Sequence, residues 1–80
     1  MIVIVDYGCG NLKSIANALK VIGVKTTISN NPSEISKARG LILPGVGKFS
    51  EAKYRLDKFE ITKALHEAIG EKTPILGICL

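Results

Sequence analysis

Eighty residues with a net charge of +4 and 46% hydrophobic content allow one domain at most and exclude a disordered chain. The eleven basic residues form no run of five, so solvated helix faces account for the charge better than a nucleic-acid patch. Met1-Ile2-Val3-Ile4-Val5 lacks a basic flank and meets Asp6, unlike a secretory signal, and no apolar run approaches the ~20 residues of a membrane span, so the two cysteines are expected as reduced thiols in the cytoplasm.

The β-branched run Ile2–Val5 predicts a strand buried on both faces, as in parallel sheets. Tyr7-Gly8-Cys9-Gly10-Asn11 is a glycine-rich turn. Leu12, Ile15, Ala16, Leu19 and Ile22 then recur at the spacing of one buried helical stripe, with Gly23 placed to end the helix. Val24, Thr26 and Ile28 alternate with Lys25, Thr27 and Ser29, a half-buried strand nearer a sheet edge. Asn31 as N-cap, Pro32 at the first helical position and Glu34 two further on predict a capping-box-like start for a short helix through Ala38. Residues 40–43 read as a third strand, leaving into Pro44-Gly45-Val46-Gly47. The polar residues 48–58 are expected to be helical in part. Ile61, Leu65, Ala68 and Ile69 mark a further helix capped by Gly70, and residues 74–79 form a fourth strand.

The order β-α-β-α-β-α-β implies a parallel sheet with right-handed crossovers, half or less of a doubly wound α/β domain. Such sheets bind ligands at the carboxyl ends of their strands. The turn at residues 7–11, the segment at residues 44–47 and Cys79 all fall at carboxyl ends, and their convergence on one edge points to a functional site.

A cysteine between a strand and a helix receives the helix N-terminal field, which lowers a thiol pKa. Gly77, two residues before Cys79, fits the first half of a glycine-flanked nucleophile elbow by relieving crowding in the tight turn. A cysteine in an apolar strand is also most often a small core hydrophobe, and the local sequence leaves both readings open. Gly45 and Gly47 let the backbone turn its N–H groups toward the edge, as an oxyanion hole requires, although a Pro-Gly turn leaving a strand is common. The turn Gly8-Cys9-Gly10-Asn11 fails the dinucleotide pattern at Lys13, and no acid ends strand two, so a nucleotide site is disfavoured. His66, the single histidine, lies near the end of its helix, roughly 16 Å in level from Cys79 across five strand residues, too far for a general base. With the third strand between the first and fourth, Cys9 and Cys79 stand roughly 9.6 Å apart, beyond the ~7 Å reach of a disulfide, and both thiols are expected to be free.

Taken together, the residues resemble a known family. Asp6-Tyr7-Gly8-Cys9-Gly10-Asn11-Leu12-Lys13-Ser14 is similar to the N-terminal signature of the glutamine amidotransferase subunit of imidazole glycerol phosphate synthase, within the class I (triad) amidotransferases. Leu43-Pro44-Gly45-Val46-Gly47 resembles that family's oxyanion strand, and Gly77-Ile78-Cys79-Leu80 resembles the start of its nucleophile elbow. The resemblance covers all 80 residues in order.

It implies a flavodoxin-like domain of which residues 1–80 are the N-terminal part, ending just after the nucleophile. Cys79 would attack the side-chain amide of glutamine and release ammonia, and water would then hydrolyse the glutamyl thioester. The backbone N–H groups of Val46 and Leu80 would hold the oxyanion, after reorientation of the strand Pro44-Gly45-Val46-Gly47. Ammonia would pass to a cyclase subunit, a (β/α)8 barrel serving histidine biosynthesis, with Asn11 at or near that interface. No cofactor, metal, nucleic acid or membrane is implied.

The family's triad histidine and glutamate, the second elbow glycine and most of the glutamine pocket lie beyond position 80. The 80 residues alone are therefore expected to have no appreciable glutaminase activity. Their apolar fourth strand would be an exposed edge prone to self-association. The alternative to the enzyme subunit is a truncated or engineered flavodoxin-like fragment acting as a folding or association module. A glutaminase feeding another synthase is a further variant, against which the first-turn signature argues.

Overall fold

The computed structural model describes residues 1–8, 10–45 and 49–78. The elements are β1 (Ile2–Val5), α1 (Leu12–Val21), β2 (Thr26–Ser29), α2 (Pro32–Ser36), β3 (Gly40–Pro44), α3 (Phe49–Lys58), α4 (Ile61–Gly70) and β4 (Ile75–Ile78). Among the described residues the strands form one all-parallel sheet in the order β2-β1-β3-β4. The expected α/β class and parallel sheet are borne out, with β2 at an edge and β3 between β1 and β4. The last crossover holds two helices, α3 where residues 48–58 were expected to be helical in part and α4 where the further helix was expected. The chain breaks between them at Glu60, which takes φ +60°.

The register follows from apolar rows that cross the sheet. Ile4 is the partner of Ile28 on one side and Ile42 on the other, and Ile42 is the partner of Leu76. Successive strand residues face opposite sides, so these four share one face. Ile4 and Ile42 are buried there, whereas Ile28 is 43% exposed and Leu76 58%. The half-buried stripe of Leu12, Ile15, Ala16 and Leu19 in α1 lies on one side of that helix, which packs along β2. Ile22, expected within the stripe, lies past the helix end and is exposed.

The opposite face carries the larger core. Val3, Val5 and Leu41 from the sheet meet Ile35 of α2 and Ile61, Ala64 and Ala68 of α4. Ala64 and Ala68 are one turn apart and small, which lets α4 lie close to α2. The buried stripe is therefore Ile61, Ala64 and Ala68, with Leu65 partly buried; Ile69, expected inside, is exposed.

The helix ends show where local chemistry departs from the expected pattern. Asn31 caps α2 as expected, accepting from Ser33 N at 2.9 Å. Glu34 does not reach back to Asn31. Instead Asn31 N–H donates to Ser29 Oγ at 3.0 Å, and Ser29 Oγ donates to Glu34 Oε1 at 2.8 Å. The box is thus relayed through Ser29. This explains why Ser29, read as an outward polar residue, is buried at the end of β2. The helix stops at Ser36, short of Ala38. α1 ends in a Schellman motif: Gly23 N–H bonds Lys20 O, Val24 N–H bonds Leu19 O, and Gly23 takes φ +85°.

α4 ends the same way two residues later than expected. Lys72 N–H bonds Ile69 O, Thr73 N–H bonds Ala68 O, and Lys72 rather than Gly70 occupies the left-handed position, at φ +60°. Gly70 is the last residue of the helix itself, with no atom outside the helix backbone within 4 Å of where a Cβ would stand. At the α3–α4 corner, Asp57 accepts from Lys53 Nζ at 2.8 Å and from Thr62 Oγ1 at 2.6 Å. These bonds, Lys53 first, hold its carboxyl below the usual range.

These assignments reverse the usual expectation for the two residues. Gly70→Ala should stabilise the protein by about 0.5–1 kcal/mol, because alanine suits a helix interior better than glycine. Lys72→Gly should stabilise by about 1 kcal/mol by removing the left-handed penalty. Urea midpoints at an unchanged denaturant slope check both. A Gly70→Ala protein that is less stable than the original would restore Gly70 as the cap.

Candidate active site at the carboxyl edge of the sheet

Because β1, β3 and β4 run parallel and in register, their carboxyl ends meet at one edge. The last pair of the β3–β4 ladder is Pro44 with Ile78. Gly45 N–H continues the ladder by donating to Ile78 O. From β1, Tyr7 turns inward, is almost fully buried at 1% exposure, and donates its hydroxyl to Pro44 O. Pro44 is itself buried.

The glycine turn closes over the same point. Gly10 takes φ +87°, and a Cβ there would stand 2.6 Å from Pro44 Cβ and 3.7 Å from Gly45 O. Only glycine allows both the dihedral and the approach. Gly8 N–H donates to Asp6 Oδ1 at 3.2 Å. Gly8 O accepts from Arg55 Nη1 at 3.4 Å, and Arg55 is held in turn by Glu51 at 3.1 Å. Asn11 is exposed and caps α1, its Oδ1 accepting from Ser14 N at 3.2 Å.

Of the residues singled out in the sequence, Pro44 and Gly45 stand together at this edge beside Ile78, with Asn11 at the start of α1 after the turn that packs on Pro44. Val46, Gly47, Cys79 and Leu80 lie outside the described residues, and so does Cys9, with the expectation of free thiols. Val46 follows Gly45 in the chain, and Cys79 follows Ile78. A Cβ at Gly77 would meet nothing within 4 Å, so the described residues lend no support to crowding there. His66 is exposed on α4. It borders a groove of about 930 Å³ with Ser33, Ser36 and Lys63 that takes in none of Tyr7, Pro44, Gly45 or Ile78.

Two contributors were not singled out in the sequence: the Tyr7 hydroxyl and Arg55. The available signal for Tyr7 was a tyrosine, rather than a phenylalanine, where a buried strand ends, since a buried phenol requires a partner. Arg55 carried no such signal within its polar helix.

The family described as "Glutamine amidotransferase class-I" matches residues 3–80. The chain belongs to this family. It is 49% identical over 80 residues to the imidazole glycerol phosphate synthase subunit HisH of Geobacillus sp. (strain WCH70), covering all of this chain and 38% of that protein. The subunit HisH of Listeria monocytogenes serotype 4a (strain HCC23) is 50% identical over 80 residues, again 38% of its length. That of Symbiobacterium thermophilum is 44% identical over 79 residues, which is 37% of its length. The chain thus spans under two-fifths of these relatives. Among the described residues of this class-I amidotransferase chain, no helix is long and apolar enough to cross a membrane.

The packing of Gly10 on Pro44 separates two glycine substitutions. Gly23→Ala meets open space and should cost about 1 kcal/mol from the dihedral alone. Gly10→Ala adds the overlap with Pro44 and should cost about 2 kcal/mol or more. Paired urea unfolding of the two variants reads the difference. Equal losses would mean that Gly10 does not press on Pro44.

Proposed function

We propose that the protein carrying these residues is the glutaminase subunit of an imidazole glycerol phosphate synthase. The observation that carries this reading is the identity with HisH proteins along the entire chain, at 44–50%. Residues 1–80 form the N-terminal part of one amidotransferase domain. Glutamine is the substrate, and a cyclase subunit with a (β/α)8 barrel is the partner that consumes the ammonia.

The Cys79 thiolate adds to the side-chain carbonyl carbon of glutamine, and the oxygen becomes an oxyanion. Collapse of this intermediate breaks the carbon–nitrogen bond, and ammonia leaves after taking up a proton. Water adds to the resulting thioester, releasing glutamate and regenerating the thiol. The backbone N–H groups of Val46 and Leu80 stabilise the oxyanion. The ladder is compatible with this choice: the preceding donor, the Gly45 N–H, is already bonded to Ile78 O.

Asn11 uses its side-chain oxygen to cap α1, which leaves the amide nitrogen as the donor a docked cyclase would meet. His66 faces a different surface and is not the base for Cys79. The base belongs to the part of the family's domain that follows position 80. Residues 1–80 by themselves therefore hydrolyse no glutamine. With Leu76 exposed on an edge strand, such a peptide would tend to self-associate.

The test is glutamine hydrolysis by the protein in complex with its cyclase. Cys79→Ala should lower the rate by about 10³-fold or more. A Cys79→Ala complex that retains the original rate would remove Cys79 from the chemistry and the reading with it.

A further inference from the structure

Two separate contacts converge on one peptide group. The Pro44 carbonyl accepts from the Tyr7 hydroxyl, and the Gly45 N–H donates to Ile78 O. These are the two polar ends of the planar Pro44–Gly45 peptide. Bonds at both ends tie that plane to β1 through Tyr7 and to β4 through Ile78. The close approach of Gly10 to Pro44 limits its movement further. The Val46 N–H belongs to the next peptide group, whose direction relative to this plane depends only on the torsions of Gly45.

We propose that Tyr7 is a positioning residue for the oxyanion strand. Resting on the reading of Cys79 and Val46 above, it deepens that reading by naming what aims the donor. Acting through the Pro44 carbonyl, the Tyr7 hydroxyl fixes the plane from which the strand departs, so that any reorientation pivots at Gly45 and not before it. The ring alone could fill the buried site. The hydroxyl adds the directional bond. An oxyanion exists only in the tetrahedral intermediate and the transition states beside it, so a loosened plane weakens those species and leaves glutamine binding nearly intact.

The experiment uses the complete protein in complex with its cyclase. Wild-type turnover and its loss in Cys79→Ala first establish the site; failure at this step sinks the functional reading itself. Tyr7→Phe is then expected to lower kcat about 3–10-fold, the worth of one hydrogen bond, with KM for glutamine changed by less than about twofold. Glutamate γ-semialdehyde, whose aldehyde takes up the Cys79 thiol as a tetrahedral hemithioacetal, should bind more weakly by the same factor as kcat. Exchange of the Gly45 amide hydrogen should quicken.

p-Aminophenylalanine at position 7 restores a donor and should recover kcat, whereas the isosteric p-methylphenylalanine should not. That pair also serves if Tyr7→Phe does not fold. With the site established, unchanged kcat and aldehyde affinity on loss of the donor would overturn the positioning role. So would a loss shared equally by the amino and methyl variants.

Discussion

Everything at the carboxyl edge depends on the register of β3 against its neighbours. In that register Ile4 and Ile42 lie directly opposite each other at the buried centre of the sheet, and a slip of one residue would break this pair. With that row in place, Leu76 falls opposite Ile42 and Ile78 opposite Pro44. The bond from Gly45 N–H to Ile78 O is then the next rung of a ladder already determined. A site made of backbone groups has no side-chain freedom with which to correct an error of register. The hydrophobic row far below the edge is therefore part of the site's geometry.

The two faces of the sheet carry this constraint unequally. On the α2–α4 face, Ile35 and Ile61 fill the space over Val3, Val5 and Leu41, and the alanines of α4 let the layers close. On the α1 face, burial is complete at Ile4 and Ile42 and falls away toward both edges, at Ile28 and Leu76. The centre of the sheet is thus held from both sides, while β4 is exposed on both, at Ile75 on the α2–α4 face and at Leu76 on the other. β4 is the strand that leads to Cys79, so the weaker packing falls beside the proposed nucleophile.

Much of this was legible in the sequence, and the reasons are physical. β1 was plain because four consecutive β-branched residues fit only a strand covered on both faces. The end of α1 was plain because Gly23 occupies a dihedral that few other residues adopt. Misreadings arose where the deciding interaction was not local. Gly70 looked like a cap, but the packing of Ala68 on the core carries α4 through it and leaves Lys72 to take the strained position. Glu34 looked like half of a capping box, but Ser29, brought in by the end of β2, intercepts it. The pairing of Tyr7 with Pro44 spans 37 positions and follows only from the strand order. At the candidate site, three segments could be placed on one edge from the alternation of elements alone. Which N–H groups there are already engaged could not.

That last point separates the two uses to which a glycine-rich edge can be put. A phosphate site needs several free N–H groups converging on an anion. Here Gly8 N–H is bonded to the Asp6 carboxylate, whose negative charge opposes a second anion beside it. Gly8 O is held by Arg55, and Gly10 is packed against Pro44. The described part of the first turn is therefore bonded within the protein at Gly8 and packed against the end of β3 at Gly10. The glycines at residues 8 and 10 and those at residues 45 and 47 divide the work. Of the first pair, Gly10 lets the turn approach Pro44 closely and Gly8 makes room for the Arg55 side chain. The second pair begins where the Pro44–Gly45 plane, pinned by Tyr7 and Ile78, ends. With the Pro44–Gly45 plane bonded at both ends, the direction of the next N–H is left to the torsions of Gly45. The proposed oxyanion site would take one such N–H from this strand and a second from Leu80, whereas a phosphate needs several converging on it.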